Sequence, residues 1–90
     1  MTAKVRPCLV LTDPPGVYDL MLYTIVPHTT ALRGSRWEVS IPKNFLKAGA
    51  FHVQQIQSVS RARFTEKLGQ LGQDELIKIE ARIHQLFGWA

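Results

Sequence analysis

The residues best suited to chemistry are an arginine near the start of the chain and a pair of hydroxyls further along. Arg6 precedes Pro7, and Thr29 and Thr30 follow His28. A guanidinium stays protonated and can hold two phosphate oxygens, and the rigid Pro7 ring would help to fix the direction of Arg6. The hydroxyls could donate hydrogen bonds, and His28 could titrate near neutral pH. This set suits a phosphate ligand, but a surface arginine, a hydroxyl-closed turn and a partly buried histidine would show the same pattern.

Metal and thiol chemistry are not favoured. The histidines His28, His52 and His84 share no metal-type spacing, and the single cysteine, Cys8, has no partner for a disulfide or a metal-ligand pair. Cys8 lies in an apolar run and is interpreted as a small hydrophobic residue. We therefore expect neither metal nor cofactor, and a reducing compartment.

The charge of the chain is mildly basic. Eleven Lys and Arg residues stand against seven Asp and Glu residues, for a formal net charge of +4. Such a body attracts polyanions or acidic peptides, although excess positive charge also serves solubility alone. The apolar runs are too short to cross a membrane and no signal-type segment is present, so we expect a cytoplasmic protein.

The pattern of apolar residues predicts a domain built mainly from strands. Strand patterns occupy residues 5–11, 20–26, 37–41 and 51–59. The stretch 42–49 begins with Pro and ends with Gly, which predicts one helical turn. Because a chain of 90 residues buries a modest core, a homodimer would be a natural way to complete its burial.

The last element is predicted to be an amphipathic helix. Gly72 can serve as its N-cap, Asp74 and Glu75 lie in the first turn, where negative charge is favoured, and Gly88 follows the last periodic residue. Spacings of three and four residues form one apolar stripe, which consists of Leu76, Ile79, Ile83 and Leu86. Strands followed by one such helix predict a small β-barrel or curled sheet with the helix packed against it.

Four short segments follow one another in an informative order. They are KVRPCLVL at 4–11, VPHTT at 26–30, VQQIQSVS at 53–60, and KLGQL at 67–71, which precedes the helix. In order and spacing they resemble the MazF/PemK (Kid-like) family of toxins from type II toxin-antitoxin systems. The resemblance implies an SH3-like barrel of the Kid/PemK/CcdB type with a C-terminal α-helix.

The resemblance also implies an activity and partners: metal-independent cleavage of single-stranded RNA, a homodimer and a cognate antitoxin protein. Arg6 matches the family's catalytic arginine beside proline, and Thr29 matches its threonine, with Thr30 as the alternative counterpart. Contacts to RNA phosphates or base edges are assigned to Thr30, Arg33, Arg36, Gln54, Gln55 and Arg61. Trp37 or Tyr23 would offer a stacking face.

Two departures from the family pattern bear on activity. Only three residues precede Lys4, where members normally have a strand and loop, so residues 1–90 are expected to form a single domain without that first strand. Gln54 stands where the family has Asp, and Gln57 where it has Arg. Because an amide cannot take a proton as a carboxylate does, His28 is the candidate for the acid-base role.

Three interpretations remain open. The chain is an active endoribonuclease, a catalytically weak module that dimerises and binds antitoxin or RNA, or a fragment of a longer reading frame. Cleavage of RNA in EDTA separates the first two.

Overall fold

The structure is mainly β with one C-terminal helix, as predicted. It is a computed structural model that describes residues 6–89. In chain order the elements are the strands β1 (Cys8–Val10), β2 (Leu22–Thr29), β3 (Glu38–Val39), β4 (Ala50–His52) and β5 (Gln57–Ser60), the 3-10 helices Val53–Gln55 and Arg61–Arg63, and the helix α1 (Gln73–Phe87). The predicted lack of a strand before β1 concerns residues 1–5 and lies outside the described residues.

β2 is the central strand of the sheet. β1 pairs with one of its edges, while β5 and β4 pair with successive parts of the other edge, all antiparallel. β3 pairs with β4. Because one twisted strand serves two sets of partners, the sheet curls into a half-barrel.

β2 runs through Pro27 to Thr29, so the predicted strand end at residue 26 was wrong. Proline has no N–H to donate to a ladder and is tolerated only where none is needed. The pairing with β5 ends at Ile25 and the pairing with β4 begins at His28, so Pro27 lies in the gap between the two partners. The extension brings His28 and Thr29 into the sheet.

The other predicted strands are shorter than expected. The run 51–59 is interrupted by the 3-10 helix Val53–Gln55, where the chain passes from the β4 position to the β5 position along β2. The run 37–41 is reduced to β3, because its partner β4 is itself short. The stretch 42–49 contains a turn in which Leu46 N–H donates to the Lys43 carbonyl at 3.1 Å, and no helix.

The core lies between the sheet and α1. Its buried cluster consists of Val26, Val39, Ile41, Phe51, Val53, Leu71 and Ile79. Ile79 and Ile83 of the predicted stripe pack into this cluster, whereas Leu76 is 41% exposed. The inclusion of Leu76 in the stripe was therefore wrong, since Leu71 contributes the buried leucine before the helix.

Both predicted ends of α1 are confirmed. Gly72 donates its N–H to Glu75 Oε1 at 2.7 Å, and the Lys43 ammonium lies 2.5 Å from the same oxygen, which holds the pKa of Glu75 below its usual value. Gly88 ends the helix with a φ of 69°, a left-handed conformation that glycine adopts without a Cβ penalty. Within residues 6–89, α1 and the shorter helices all fall short of what a bilayer crossing needs.

Candidate functional site

The antiparallel register of β1 and β2 brings Arg6 opposite Thr29. The paired residues are Cys8 with Pro27, Leu9 with Val26 and Val10 with Ile25. His28 N–H donates to the Pro7 carbonyl at 3.0 Å, so the same register continues beyond the end of β1. One further step along it sets Arg6 across from Thr29, although the two are 23 positions apart in the chain.

Alternation along the strands separates two faces of the sheet. Residues that face each other across an antiparallel pair project to the same side, and neighbours along a strand project to opposite sides. Arg6 and Thr29 therefore share a face with the pair Cys8 and Pro27. Val26 is completely buried and belongs to the opposite face, which packs into the core.

The Thr29 hydroxyl is held by a local turn. Its Oγ1 accepts a hydrogen bond from Ala31 N–H at 3.1 Å. Because that bond occupies a lone pair of the oxygen, the hydroxyl proton remains available to donate to a ligand. Thr30 lies just beyond the end of β2 and is exposed.

His28 is buried on the core side of β2, away from the face of Arg6 and Thr29. Only 5% of it is exposed, and its ring packs edge-on against Phe51 with centroids 5.0 Å apart. Burial lowers the pKa of His28, so the imidazole is neutral near pH 7. His52 is also buried, and its Nδ1 lacks a hydrogen-bond partner among residues 6–89.

The polar loop after β2 is organised by one carboxylate. Glu38 accepts hydrogen bonds from Arg33 N–H at 2.9 Å and from Ser35 N–H at 2.7 Å. These backbone donors, that of Arg33 first, lower the pKa of Glu38. The two bonds fix the loop that carries Arg33 and Arg36, both exposed, at the same end of β2 as Thr29.

Arg36 is constrained by its neighbours. Its guanidinium carbon lies 4.4 Å from the centre of the Trp37 ring, a cation-π geometry, and its carbonyl accepts a bond from Arg82 Nη1 at 2.7 Å. Trp37 packs partly against the core. The other stacking candidate, Tyr23, lies edge-on to Phe64, and their ring centroids are 4.9 Å apart.

The glutamines lie where β4 passes into β5. Gln54 and Gln55 are exposed on the 3-10 helix. Gln57 is paired with Ile25, which by alternation places it on the face of Thr29, and its Nε2 donates to the Gln55 carbonyl at 3.3 Å. Gln57 is a candidate ligand contact that was not included among the sequence-predicted sites, because only the pairing with β2 reveals its side.

Arg61 lies at the opposite end of β2 from Thr29. Its N–H donates to the Met21 carbonyl at 3.0 Å, next to the pair Leu22 and Ser60. Seven residue steps separate Leu22 from Thr29, which corresponds to roughly 23 Å along the strand. The structure therefore does not bring Arg61 to the candidate phosphate position.

The remaining chemistry-bearing groups do not add a metal or thiol site. Burial raises the pKa of the Cys8 thiol, which keeps it protonated at neutral pH and a poor nucleophile. No group of three or more His, Cys, Asp or Glu side chains within residues 6–89 is arranged to hold a metal ion.

Glu38 is expected to make stability depend on acid pH. A carboxylate whose pKa is depressed in the folded state contributes stability above its unfolded value of about 4.3, and this contribution is lost as the pH falls through the folded pKa. We expect wild type to exceed Glu38→Gln in free energy of unfolding at about pH 6, and the difference to shrink towards about pH 3. Urea unfolding of both proteins at the two pH values measures this difference in free energy. A difference in free energy of unfolding that does not change with pH would contradict the expectation. The contribution of Glu75 cancels from this difference, because both proteins contain Glu75.

Comparison with known proteins connects this geometry to a family. A family model described as PemK-like, MazF-like toxin of type II toxin-antitoxin system matches residues 1–87. A search of curated proteins found no match.

Solved structures agree with that assignment. The fold is similar to a crystal structure of MazE-MazF (Form-III) from Deinococcus radiodurans, with 27% identity, coverage of 94% of this chain and 87% of that chain, and a TM-score of 0.77. It is similar to the Mycobacterium tuberculosis toxin MazF-mt6, with 25% identity, 92% and 86% coverage and a TM-score of 0.78. It is also similar to a crystal structure of MazF (Form-I) from D. radiodurans, with 28% identity, coverage of 92% of this chain and 76% of that chain, and a TM-score of 0.75. This chain belongs to the PemK-like, MazF-like toxins of type II toxin-antitoxin systems.

Proposed function

We propose that this chain is an endoribonuclease that cleaves single-stranded RNA without a metal ion, at the sheet face shared by Arg6 and Thr29. Membership of the toxin family supports the activity. The observation that supports the proposal is the register of β1 and β2, which one step past Pro7 puts the Arg6 backbone across from Thr29. The Thr29 oxygen accepts from Ala31 N–H, which leaves its hydroxyl proton able to donate to a ligand. A guanidinium and a hydroxyl together match two neighbouring oxygens of one phosphate group.

The reaction is an attack of the 2′-hydroxyl on the adjacent phosphorus. The 2′-oxygen bonds to phosphorus and loses its proton to solvent water, the bond between phosphorus and the 5′-oxygen breaks, and that oxygen takes up a proton from water. The product carries a 2′,3′-cyclic phosphate. Arg6 stabilises the charge that develops on the phosphorane, and the Thr29 hydroxyl donates to a non-bridging oxygen.

Neighbouring basic residues would bind the rest of the strand. Arg33 and Arg36 extend from the loop at the same end of β2, and Gln54 and Gln55 lie beside it on the 3-10 helix. Charge attraction to the backbone and amide contacts to base edges are the ordinary means by which proteins hold single-stranded RNA. Arg61 lies at the other end of β2 and would contact the RNA further along its backbone.

A catalytically weak binding module is the second candidate, and two observations favour it. Gln54 presents an amide where a proton acceptor is expected, and the His28 ring points into the core. Neither group can exchange a proton at the face of Arg6 and Thr29. In this alternative the chain holds RNA or an antitoxin without cutting.

We also propose a cognate antitoxin and a second copy of the chain as partners, both in the cytoplasm. The structures of MazE-MazF from D. radiodurans support the antitoxin. The net charge of +4 favours an acidic segment in it. The loop between β1 and β2 exposes several large apolar side chains, which a dimer contact could cover: Val17, Tyr18, Leu20 and Met21.

Incubation of the purified chain with end-labelled single-stranded RNA in EDTA tests the proposal. Cleavage that leaves a 2′,3′-cyclic phosphate is the expected result. Intact RNA that still binds the protein supports the binding module. A requirement for a divalent cation would contradict the metal-free reaction.

A further inference from the structure

Gly49 lies against the end of β2 that carries Thr29. A Cβ atom at this position would overlap with the Thr29 carbonyl oxygen, and it would lie 2.9 Å from both the Thr29 carbonyl carbon and His28 Cε1. Positive φ values within residues 6–89 occur at Gly34 and Gly88, and Gly49 is not among them. The absence of a side chain at Gly49 is therefore required by its neighbours and not by its own backbone conformation.

The close approach involves backbone and cannot be relieved by a rotamer change. Gly49 directly precedes β4, whose first residue Ala50 pairs with Thr29, and Phe51 pairs with His28. An added methyl group would have to push this end of β2 away from β4. Thr29 would then move relative to the segment before β1 on the other edge of β2, which carries Arg6.

We propose that Gly49 is a positioning residue for the Thr29 hydroxyl. The inference rests on the proposed RNA cleavage, and it adds a residue that contacts no substrate. The geometric demand is strict, because a misplacement of about 1 Å in a catalytic group can cost about 10²-fold in rate. Gly49 sets the distance between β4 and the end of β2, and hence the place of Thr29 opposite Arg6.

Gly69 supplies a control glycine away from Thr29. A Cβ there would lie 2.6 Å from Cζ and 2.7 Å from Cδ1 of the Phe45 ring, so Gly69→Ala introduces an overlap with a side chain, which can move, and not with backbone. Gly69 lies in the segment between β5 and α1, and its overlap involves neither Thr29 nor His28. Urea unfolding of both variants measures their stability, and cleavage rates are compared under conditions in which each variant is fully folded, so that a loss of stability is not read as a loss of rate.

The experiment compares wild type, Gly49→Ala and Gly69→Ala in single-turnover cleavage at saturating RNA, together with RNA affinity. Gly49→Ala is expected to cut about 10- to 100-fold more slowly with an RNA Kd within about threefold of wild type, while Gly69→Ala keeps the wild-type rate. In a Thr29→Val background, Gly49→Ala should add little further loss, because both changes act on one interaction. Methyl NMR of Thr29 should show a shift in Gly49→Ala and none in Gly69→Ala.

Several outcomes overturn the inference. Equal cleavage rates in wild type and Gly49→Ala would do so, as would an unmoved Thr29 methyl signal or full additivity with Thr29→Val. A Gly49→Ala chain that fails to fold where Gly69→Ala folds would assign Gly49 to the fold alone. An inactive wild type that binds RNA would instead defeat the proposed cleavage, and the NMR signal reports on the placement of Thr29 independently of activity.

Discussion

Arg6→Ala should lower the rate of RNA cleavage at saturating RNA by about 10²- to 10³-fold, the usual loss when one preorganised donor to a developing oxyanion is removed. Continued one step past Pro7, the register puts the Arg6 backbone across from Thr29 at the open end of the β1–β2 pair, and we propose that the guanidinium holds the phosphate there. A permanent charge at that position stabilises the phosphorane more than the ground-state phosphate. The rate should therefore fall more than the affinity does.

Two further substitutions make the Arg6 result specific. Arg6→Lys keeps the charge but loses the planar fork, and should recover only part of the rate. Arg61→Ala removes an exposed arginine from the far end of β2, so it should weaken binding slightly and leave the rate unchanged. Single-turnover rates and filter-binding affinities of the three variants decide the matter. If Arg61→Ala loses as much rate as Arg6→Ala, the effect is one of overall charge and the assignment of Arg6 is wrong.

Thr29→Val should slow cleavage by about 10- to 100-fold, less than Arg6→Ala because a neutral donor contributes less than a charged one. Valine keeps the branched shape that suits the end of β2, so the strand should persist. The substitution removes the hydroxyl that would donate to the phosphate, and also the acceptor for Ala31 N–H. Cleavage rate at saturating RNA is again the quantity to measure.

Controls at neighbouring positions separate the roles of the Thr29 hydroxyl. Thr29→Ser retains both the donor and the turn bond to Ala31 and should keep most of the rate. Thr30→Val tests the alternative counterpart, which is exposed beyond the end of the strand. Should Thr30→Val prove more damaging than Thr29→Val, the active hydroxyl would be that of Thr30 and the register argument would lose its main consequence.

Several features of the fold were predictable because they depend on neighbours in the chain. The ends of α1 follow from Gly72 and Gly88, and the burial of Ile79 follows from helical periodicity. The ends and interruptions of the strands were harder to predict from the sequence. Nothing local reveals that Pro27 would lie in a gap between two partner strands, or that Val53–Gln55 would form a 3-10 helix between them.

The sequence likewise identified some features of the candidate site and left others to the tertiary structure. The order of four short segments was enough to indicate the family and to select Arg6 and Thr29, and the later comparison confirmed the family. Only pairing partners could assign sides, because a one-residue change of register reverses the face of every side chain in a strand. That is why His28 was selected beside Thr29 although it lies on the core face, and why Gln57 was not selected although it shares the face of Thr29.

Residue types and local spacing determined the family, the terminal helix and the chemical groups available for holding a phosphate. The tertiary structure alone decided which of those groups meet. Hydrogen bonds between β1 and β2 bring the chain segments of Arg6 and Thr29 alongside each other, and Gly49 approaches Thr29 from the segment that leads into β4. Contacts between distant segments depend on register and on close approach of backbones, and neither quantity is encoded in a stretch of neighbouring residues.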